Sequence, residues 1–175
     1  NHGSATLSGT TLTYVPEANY FGADTLAFTA SDGTNTSESA TITLTITSVN
    51  DVPVSTTASA TTAEDTSVEI PLTATDEDGD NLTYSVVTAP EHGTVSISGS
   101  TANYTPEANY NGSDSFAFKA NDGTADSNIS GVTLTITSVN DAPVFASALA
   151  VSVSESTATN TTLLTLSAAD PEGSS

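Results

Sequence analysis

Apolar Val68, Ile70, Leu72 and Ala74 alternate with Ser67, Glu69, Pro71 and Thr73, and a period of two recurs along much of the chain. Leu82, Tyr84 and Val86 alternate with Thr83, Ser85 and Val87. Val95 and Ile97 mark a short segment, Tyr104 another, Phe116, Phe118 and Ala120 a longer one, and Val132, Leu134, Ile136 and Val139 the last. Successive side chains of a strand point to opposite faces, so this period predicts strands with one buried face. No window carries the 3.6-residue period of an amphipathic helix. Counting a short first strand near Thr57 to Thr62, seven strands fit between Val52 and Asp141. Turn residues separate them: Asp78 and Gly79, Pro90 to Gly93, Gly99, Pro106 to Gly112, and Asp122 with Gly123. Seven short alternating strands in about 90 residues predict an all-β, seven-stranded Greek-key β-sandwich of two antiparallel sheets.

The pattern also repeats on a larger scale. His2–Pro53 recurs as His92–Pro143 without a gap, identical at roughly 30 of 52 positions. Tyr14, Pro16, Glu17, Ala18, Asn19 and Tyr20 return as Tyr104, Pro106, Glu107, Ala108, Asn109 and Tyr110, and Thr43–Asp51 returns letter for letter as Thr133–Asp141. Self-similarity at a fixed offset predicts a tandem array. On this division residues 1–51 are the C-terminal part of one repeat, 52–141 a complete repeat, and 142–175 the N-terminal part of the next. The linkers SVNDVP (Ser48–Pro53) and SVNDAP (Ser138–Pro143) follow a final strand directly, and proline restricts the backbone in each. The units are therefore expected to stand end to end as a rod.

Composition narrows the class of partner. Twenty-one acidic residues face one base, Lys119, for a net charge of -20. Such a surface repels phosphate backbones, which excludes nucleic acid as a partner, and it disfavours anionic membranes. The clean period of two separates the chain from acidic disordered tails. Cysteine is absent, so disulfides, thiolate catalysis and cysteine-ligated metals are excluded. No apolar run approaches the roughly 18 residues of a membrane span, so direct membrane insertion is not expected, and the N-terminus lacks the basic and apolar regions of a signal peptide. The outward positions of the last strand are Thr133, Thr135 and Thr137, and in the first unit Thr41, Thr43, Thr45 and Thr47. β-branched polar residues suit a solvated pleated face; a flat threonine array that binds a sugar or a crystalline surface is the sharper alternative.

The carboxylates carry the candidate chemistry. Consecutive strands run in opposite directions, so the top of the complete unit collects Asp76, Asp78, Asp80 and Asp122, while the bottom collects Glu64, Asp65, Glu107, Asp114 and Asp141. Stacking units end to end brings one set against the other. Five or more carboxylates without a basic partner repel unless they are protonated or bridged by a cation. Hard oxygen ligands, the Asn50 and Asn140 carbonyls and a glycine-permitted turn favour Ca²⁺, which accepts six to eight oxygens in flexible geometry. DEDGD at Asp76–Asp80 could also be an ordinary exposed acidic turn. It is not an EF-hand, because Gly79 falls at the fourth loop position and Val87 at the twelfth, where a bidentate carboxylate is needed. His2 and His92 hold equivalent turn positions without a ligand cluster, and Lys119 alternates outward as a solvated lysine. Glu64 with Asp65 could in principle act on a glycoside, but tryptophan is absent and no nucleophile has a base, so no enzymatic activity is expected.

In order, LTATDEDGDNLTYSVVTAPEHGTVSISG, YTPEANYNGSDSFAFKANDGT and LTITSVNDAP resemble the bacterial cadherin-like, Ig-like tandem repeat of large surface adhesins, over essentially the whole chain. The resemblance implies an extracellular location on a bacterial cell surface and Ca²⁺ at the junctions between units. The linker pairs Asn50 with Asp51 and Asn140 with Asp141 would then be ligands. Asp76, Asp78 and Asp122 would serve the first junction from above and Asp24 from below. Glu64 and Asp114 would serve the second from below, with Asp170 and Glu172 above. Cadherin linkers carry an extra Asp two residues before the Asn, where this chain has Ser48 and Ser138, which implies fewer ions per junction. The function implied is calcium-stiffened extension, with neighbouring repeats as first partners and other copies, or a glycan, host or abiotic surface reached through other domains, as further ones. Two rivals stay open: a glycan- or surface-binding module, and a filament subunit assembling head to tail by strand complementation of its incomplete terminal repeats.

Overall fold

The computed structural model describes residues 2–142, 144–145 and 168–169. Among them every regular element is a strand. β1 (Gly3–Ser8) pairs with β2 (Thr11–Pro16), and β3 (Gly22–Phe28) with β4 (Ala40–Ile46), as two antiparallel pairs before the first linker.

The middle segment builds a two-sheet sandwich. It contains β5 (Val54–Thr56), β6 (Ala58–Ala63), β7 (Val68–Pro71), β8 (Thr73–Thr75), β9 (Thr83–Thr88), β10 (Gly93–Ser98), β11 (Thr101–Pro106), β12 (Gly112–Asn121) and β13 (Ser130–Thr137). One sheet has the order β10-β11-β7 and the other β6-β13-β12-β9, with β5-β8 as a separate pair. The first strand, expected near Thr57 to Thr62, is β6, and β5 precedes it, so this edge is divided between two strands. β5 pairs antiparallel with β8, and β6 pairs parallel with β13. The division is held by side chains: Asn128 Oδ1 accepts from Ser55 N (2.9 Å), Asn128 Nδ2 donates to Ser55 O (3.0 Å), and Ser55 Oγ donates to Asn128 O (2.7 Å). An asparagine side chain thus satisfies backbone groups that a neighbouring strand would otherwise have to reach. The second strand breaks at Leu72, whose N–H donates to Ser100 O at 2.8 Å.

The core lies where the period of two put it. Ile70, Leu72, Ala102, Tyr104, Phe116, Phe118, Ala120, Val132, Leu134 and Ile136 are buried, and β13 alternates buried and exposed along its whole length. Two positions depart from the pattern: Val86 lies exposed on edge strand β9, and Val139 falls beyond the end of β13. Lys119 is not a free solvated lysine; its ammonium pairs with Asp126, a surface contact worth about 0–1 kcal/mol. After the second linker, β14 (Val144–Phe145) pairs with β15 (Ala168–Ala169). Val144↔Ala169 and Phe145↔Ala168 repeat the arrangement Val54↔Thr75 and Ser55↔Ala74 of β5 and β8.

Candidate cation site at the first linker

Asp76 follows β8 and opens a tight turn closed by Gly79, whose φ of 77° lies where glycine carries no steric penalty. Gly79 N donates to Asp76 O (3.3 Å), and Asp76 Oδ1 accepts from Asp78 N (3.0 Å) and Asp80 N (3.3 Å). The turn gathers three carboxylates: one oxygen each from Asp76, Asp78 and Asp80 lies within 4.8 Å of the others. Asp76 Oδ2 is buried and accepts no hydrogen bond.

The linker is tied to this turn. Asp51 N donates to Asp78 Oδ2 (2.7 Å) and Ser48 Oγ to Asp78 Oδ1 (3.3 Å). Asn50 Nδ2 donates to Asp122 Oδ2 (2.9 Å) and to Asp51 O (3.0 Å). Asp122 Oδ1 accepts from Thr124 N and Ala125 N, both at 2.6 Å. The Ala125 N–H, then the Asn50 amide and the Thr124 N–H, hold the Asp122 carboxyl below the usual carboxylate range. From the first unit, Asn19 Nδ2 reaches Glu77 Oε2 (3.3 Å), and an open groove of about 250 Å³ lies between Tyr20, Phe21, Val49, Asp51 and Asp78. The top of the middle unit therefore carries Asp76, Asp78, Asp80 and Asp122 against Asp51, while Lys119 is engaged by Asp126. Like charges about 4 Å apart repel by roughly 4 kcal/mol at an effective dielectric near 20. The grouped carboxylate oxygens of Asp76, Asp78 and Asp80 are hard donors of the kind that can hold a divalent cation.

The other expected ligands are used differently. Asp114 Oδ1 accepts from Glu91 N (3.1 Å) and Ser115 N (2.7 Å), and Oδ2 from His92 N (3.0 Å) and Tyr104 OH (2.8 Å). These engage both oxygens of the carboxylate, two donors to each. Asp24 repeats the arrangement with His2 N (2.8 Å), Tyr14 OH (2.8 Å) and Thr25 N (2.7 Å), and the first of these bonds leads in holding its carboxyl far below the usual range. Burial, then the bond to Asp24, pushes the Tyr14 hydroxyl up to about 12. Tyrosine and aspartate thus form a clamp inside each unit. Glu64, 2% exposed, does meet the second linker: it accepts from Val139 N and from Asn111 Nδ2 (3.5 Å). Asn140 Nδ2 donates to Asp141 O (3.1 Å), as Asn50 does to Asp51 O. Asp170 and Glu172 lie outside the described residues.

Sequence reasoning missed the clamp, although Tyr14 with Asp24 and Tyr104 with Asp114 recur together beside the same His-Gly turn. That joint recurrence was the available signal. The turn leaves no spare volume: a Cβ on Gly93 would stand 2.5 Å from Thr105 O and 2.6 Å from the Tyr104 ring. Gly93→Ala is expected to destabilise the middle unit by about 1–3 kcal/mol in urea unfolding, because the obstructing oxygen is backbone and cannot swing away.

Two sheets closed by a divided first strand, with an acidic turn tied to the preceding linker, define a cadherin-like, Ig-like tandem β-sandwich. The chain belongs to the bacterial Ig domain family, whose model matches residues 1–45 and 50–135 as two segments. No curated protein sequence matches it. Among solved structures, human CDH23 EC21-23 is 18% identical with a TM-score of 0.63, over 97% of this chain and 61% of that one. Human mucin-like protocadherin EC1-2 is 16% identical with a TM-score of 0.57, over 78% of this chain and 81% of that one. At these identities the likeness concerns the fold alone. The endo-fucoidan hydrolase MfFcnA4 from glycoside hydrolase family 107 is 21% identical at a TM-score of 0.43, and the match, over 79% of this chain, spans 23% of the hydrolase. Among the described residues no helix is long and apolar enough to cross a membrane.

Proposed function

We propose that this chain is a run of extender repeats from a large extracellular bacterial adhesin or surface fibre, stiffened by Ca²⁺ at the junctions between units. The observation that carries the reading is Asp76 Oδ2, buried without a hydrogen bond beside Asp78 and Asp80 while the linker already reaches Asp78 and Asp122. A carboxylate oxygen removed from water costs several kcal/mol unless a donor or a cation meets it. Asp76, Asp78, Asp122, Asp51 and the Asn50 carbonyl would hold the ion at the first junction, with Asp80 and Ser48 at its margin. Glu64, Asn140 and Asp141 would serve the second, with Asp170 and Glu172 opposite. Asp114 and Asp24 are left out because the clamp occupies them. Bound there, the cation supplies charge neutralisation and a fixed linker rather than catalysis. The partners are the neighbouring repeats, and the acidic surface keeps the extended chain soluble.

Extracellular calcium modules bind at about 10⁻⁴ to 10⁻³ M, and at roughly 100 times the dissociation constant one ion adds about 2.7 kcal/mol. For a unit of this size that corresponds to a rise in melting temperature on the order of 10 °C or more. Small-angle scattering and melting curves, in calcium and in chelator at equal ionic strength, test it. Calcium is expected to lengthen the particle and raise its melting temperature; identical particle length and identical melting in the two buffers would sink the proposal.

A further inference from the structure

The turn that the clamp secures in the middle unit also fixes the side chain of His92. Asp114 Oδ2 accepts from His92 N (3.0 Å), while His92 O accepts from Glu107 N (2.8 Å) and from Tyr104 OH (3.1 Å). The imidazole stacks on the Tyr110 ring, with centroids 4.0 Å apart and planes 12° from parallel. His92 Nδ1 then lies 3.8 Å from Glu107 Oε2, and the two side chains are 41% and 63% exposed. The first unit reproduces the arrangement: Glu17 N donates to His2 O (2.8 Å), His2 Nδ1 lies 4.0 Å from Glu17 Oε2, and the His2 ring stacks on Tyr20 at 4.1 Å. An exposed ion pair contributes only about 0–1 kcal/mol, so stability does not account for a histidine and a glutamate being held together in this way.

We propose that His92 and Glu107 form a two-ligand site for a borderline transition-metal ion of the Zn²⁺ class, separate from the all-oxygen turn at Asp76. Zn²⁺ takes imidazole nitrogen at about 2.0–2.1 Å and carboxylate oxygen at about 2.0–2.2 Å, so at a tetrahedral angle the two ligand atoms stand roughly 3.4 Å apart. The observed 3.8 Å is close to that spacing, and a small rotation of the exposed Glu107 side chain closes the difference. The imidazole selects the ion, because Ca²⁺ and Mg²⁺ take oxygen ligands whereas Zn²⁺ accepts nitrogen readily. The Tyr110 stack and the backbone ties orient the ring in advance, so little freedom is lost on binding. Two protein ligands leave two tetrahedral positions to water, which makes the site weak and reversible, and the acidic surface concentrates cations around it. The middle unit would then carry a hard-ion turn near Asp122, past one end of β12, and an imidazole site near Asp114, at the other end.

Zinc titration of the 175-residue chain in excess calcium, followed through the ¹⁵N resonances of the histidine rings, tests the site. Zinc also meets surface carboxylates, so the ring nitrogens are the readout, and the result does not depend on whether calcium binds at the Asp76 turn. The His92 Nδ1 resonance is expected to move and saturate with zinc and to stay in place with magnesium. Glu107→Gln keeps the backbone tie to His92 O, so the variant should melt as the wild type does without metal while needing at least about tenfold more zinc for the same response. His92→Gln should remove one zinc per chain from the calorimetric stoichiometry; if that change loosens the turn, Glu107→Gln decides alone. A His92 ring that does not respond at about 1 mM zinc, or that responds equally in Glu107→Gln, would overturn the assignment.

Discussion

Asp114→Ala is expected to destabilise the middle unit by about 3–5 kcal/mol, equally in calcium and in chelator, because it removes the charged acceptor of a buried network. The substitution orphans the N–H groups of Glu91, His92 and Ser115 and takes from the Tyr104 hydroxyl, in a residue 0% exposed, the nearer of its two acceptors. Tyr104 OH also lies 3.1 Å from His92 O, so the remaining network cannot hold the turn against the ring as before. Burial by itself would raise the Asp114 pKa, but Tyr104 and the three backbone donors outweigh it and hold the carboxyl below its ordinary value. A group lowered in this way stabilises the fold fully above its unfolded value near 4, and the contribution is lost as the pH falls through the lower folded value. The wild-type advantage should therefore be constant from pH 7 to about 5 and shrink only below about 4. Urea unfolding of both proteins across that range measures it. A deficit confined to calcium-containing buffer would instead make Asp114 a ligand.

Asp76→Asn should have the opposite signature. The amide oxygen can keep the bonds from Asp78 N and Asp80 N, so the turn survives, but the buried Oδ2 charge is gone. In chelator the variant is expected to be at least as stable as the wild type, since an unpaired buried charge has been removed. In calcium it should lose most of the roughly 2.7 kcal/mol that binding supplies at about 100 times the dissociation constant. The melting curves of the two proteins would then cross as calcium is titrated. A full calcium response in Asp76→Asn would remove this turn from the site.

The strands were legible because burial on one face imposes a local period of two, and Val68 to Ala74 or Val132 to Ile136 show it without any knowledge of partners. The acidic turn was legible too, since Asp76, Asp78 and Gly79 are close in sequence and act within one loop. The division of the first strand was not. It depends on Asn128, more than 70 residues away, reaching the backbone of Ser55. The hydrogen bonds of Asp114 and Asp24 to tyrosine were not legible for a related reason: an acidic residue near a strand end looks the same in sequence whether it faces solvent or a tyrosine hydroxyl.

The sequence by itself determined an all-β tandem array, its charge of -20 with a single base, and the acidic composition of the Asp76–Asp80 turn. These follow from local periodicity, repetition and counting. Only the tertiary structure decided which carboxylates meet the linker and which are consumed within a unit, and which strand edges are filled. A carboxylate can bind a cation only with acceptor positions left over, and that remainder is set by donors brought from distant parts of the chain.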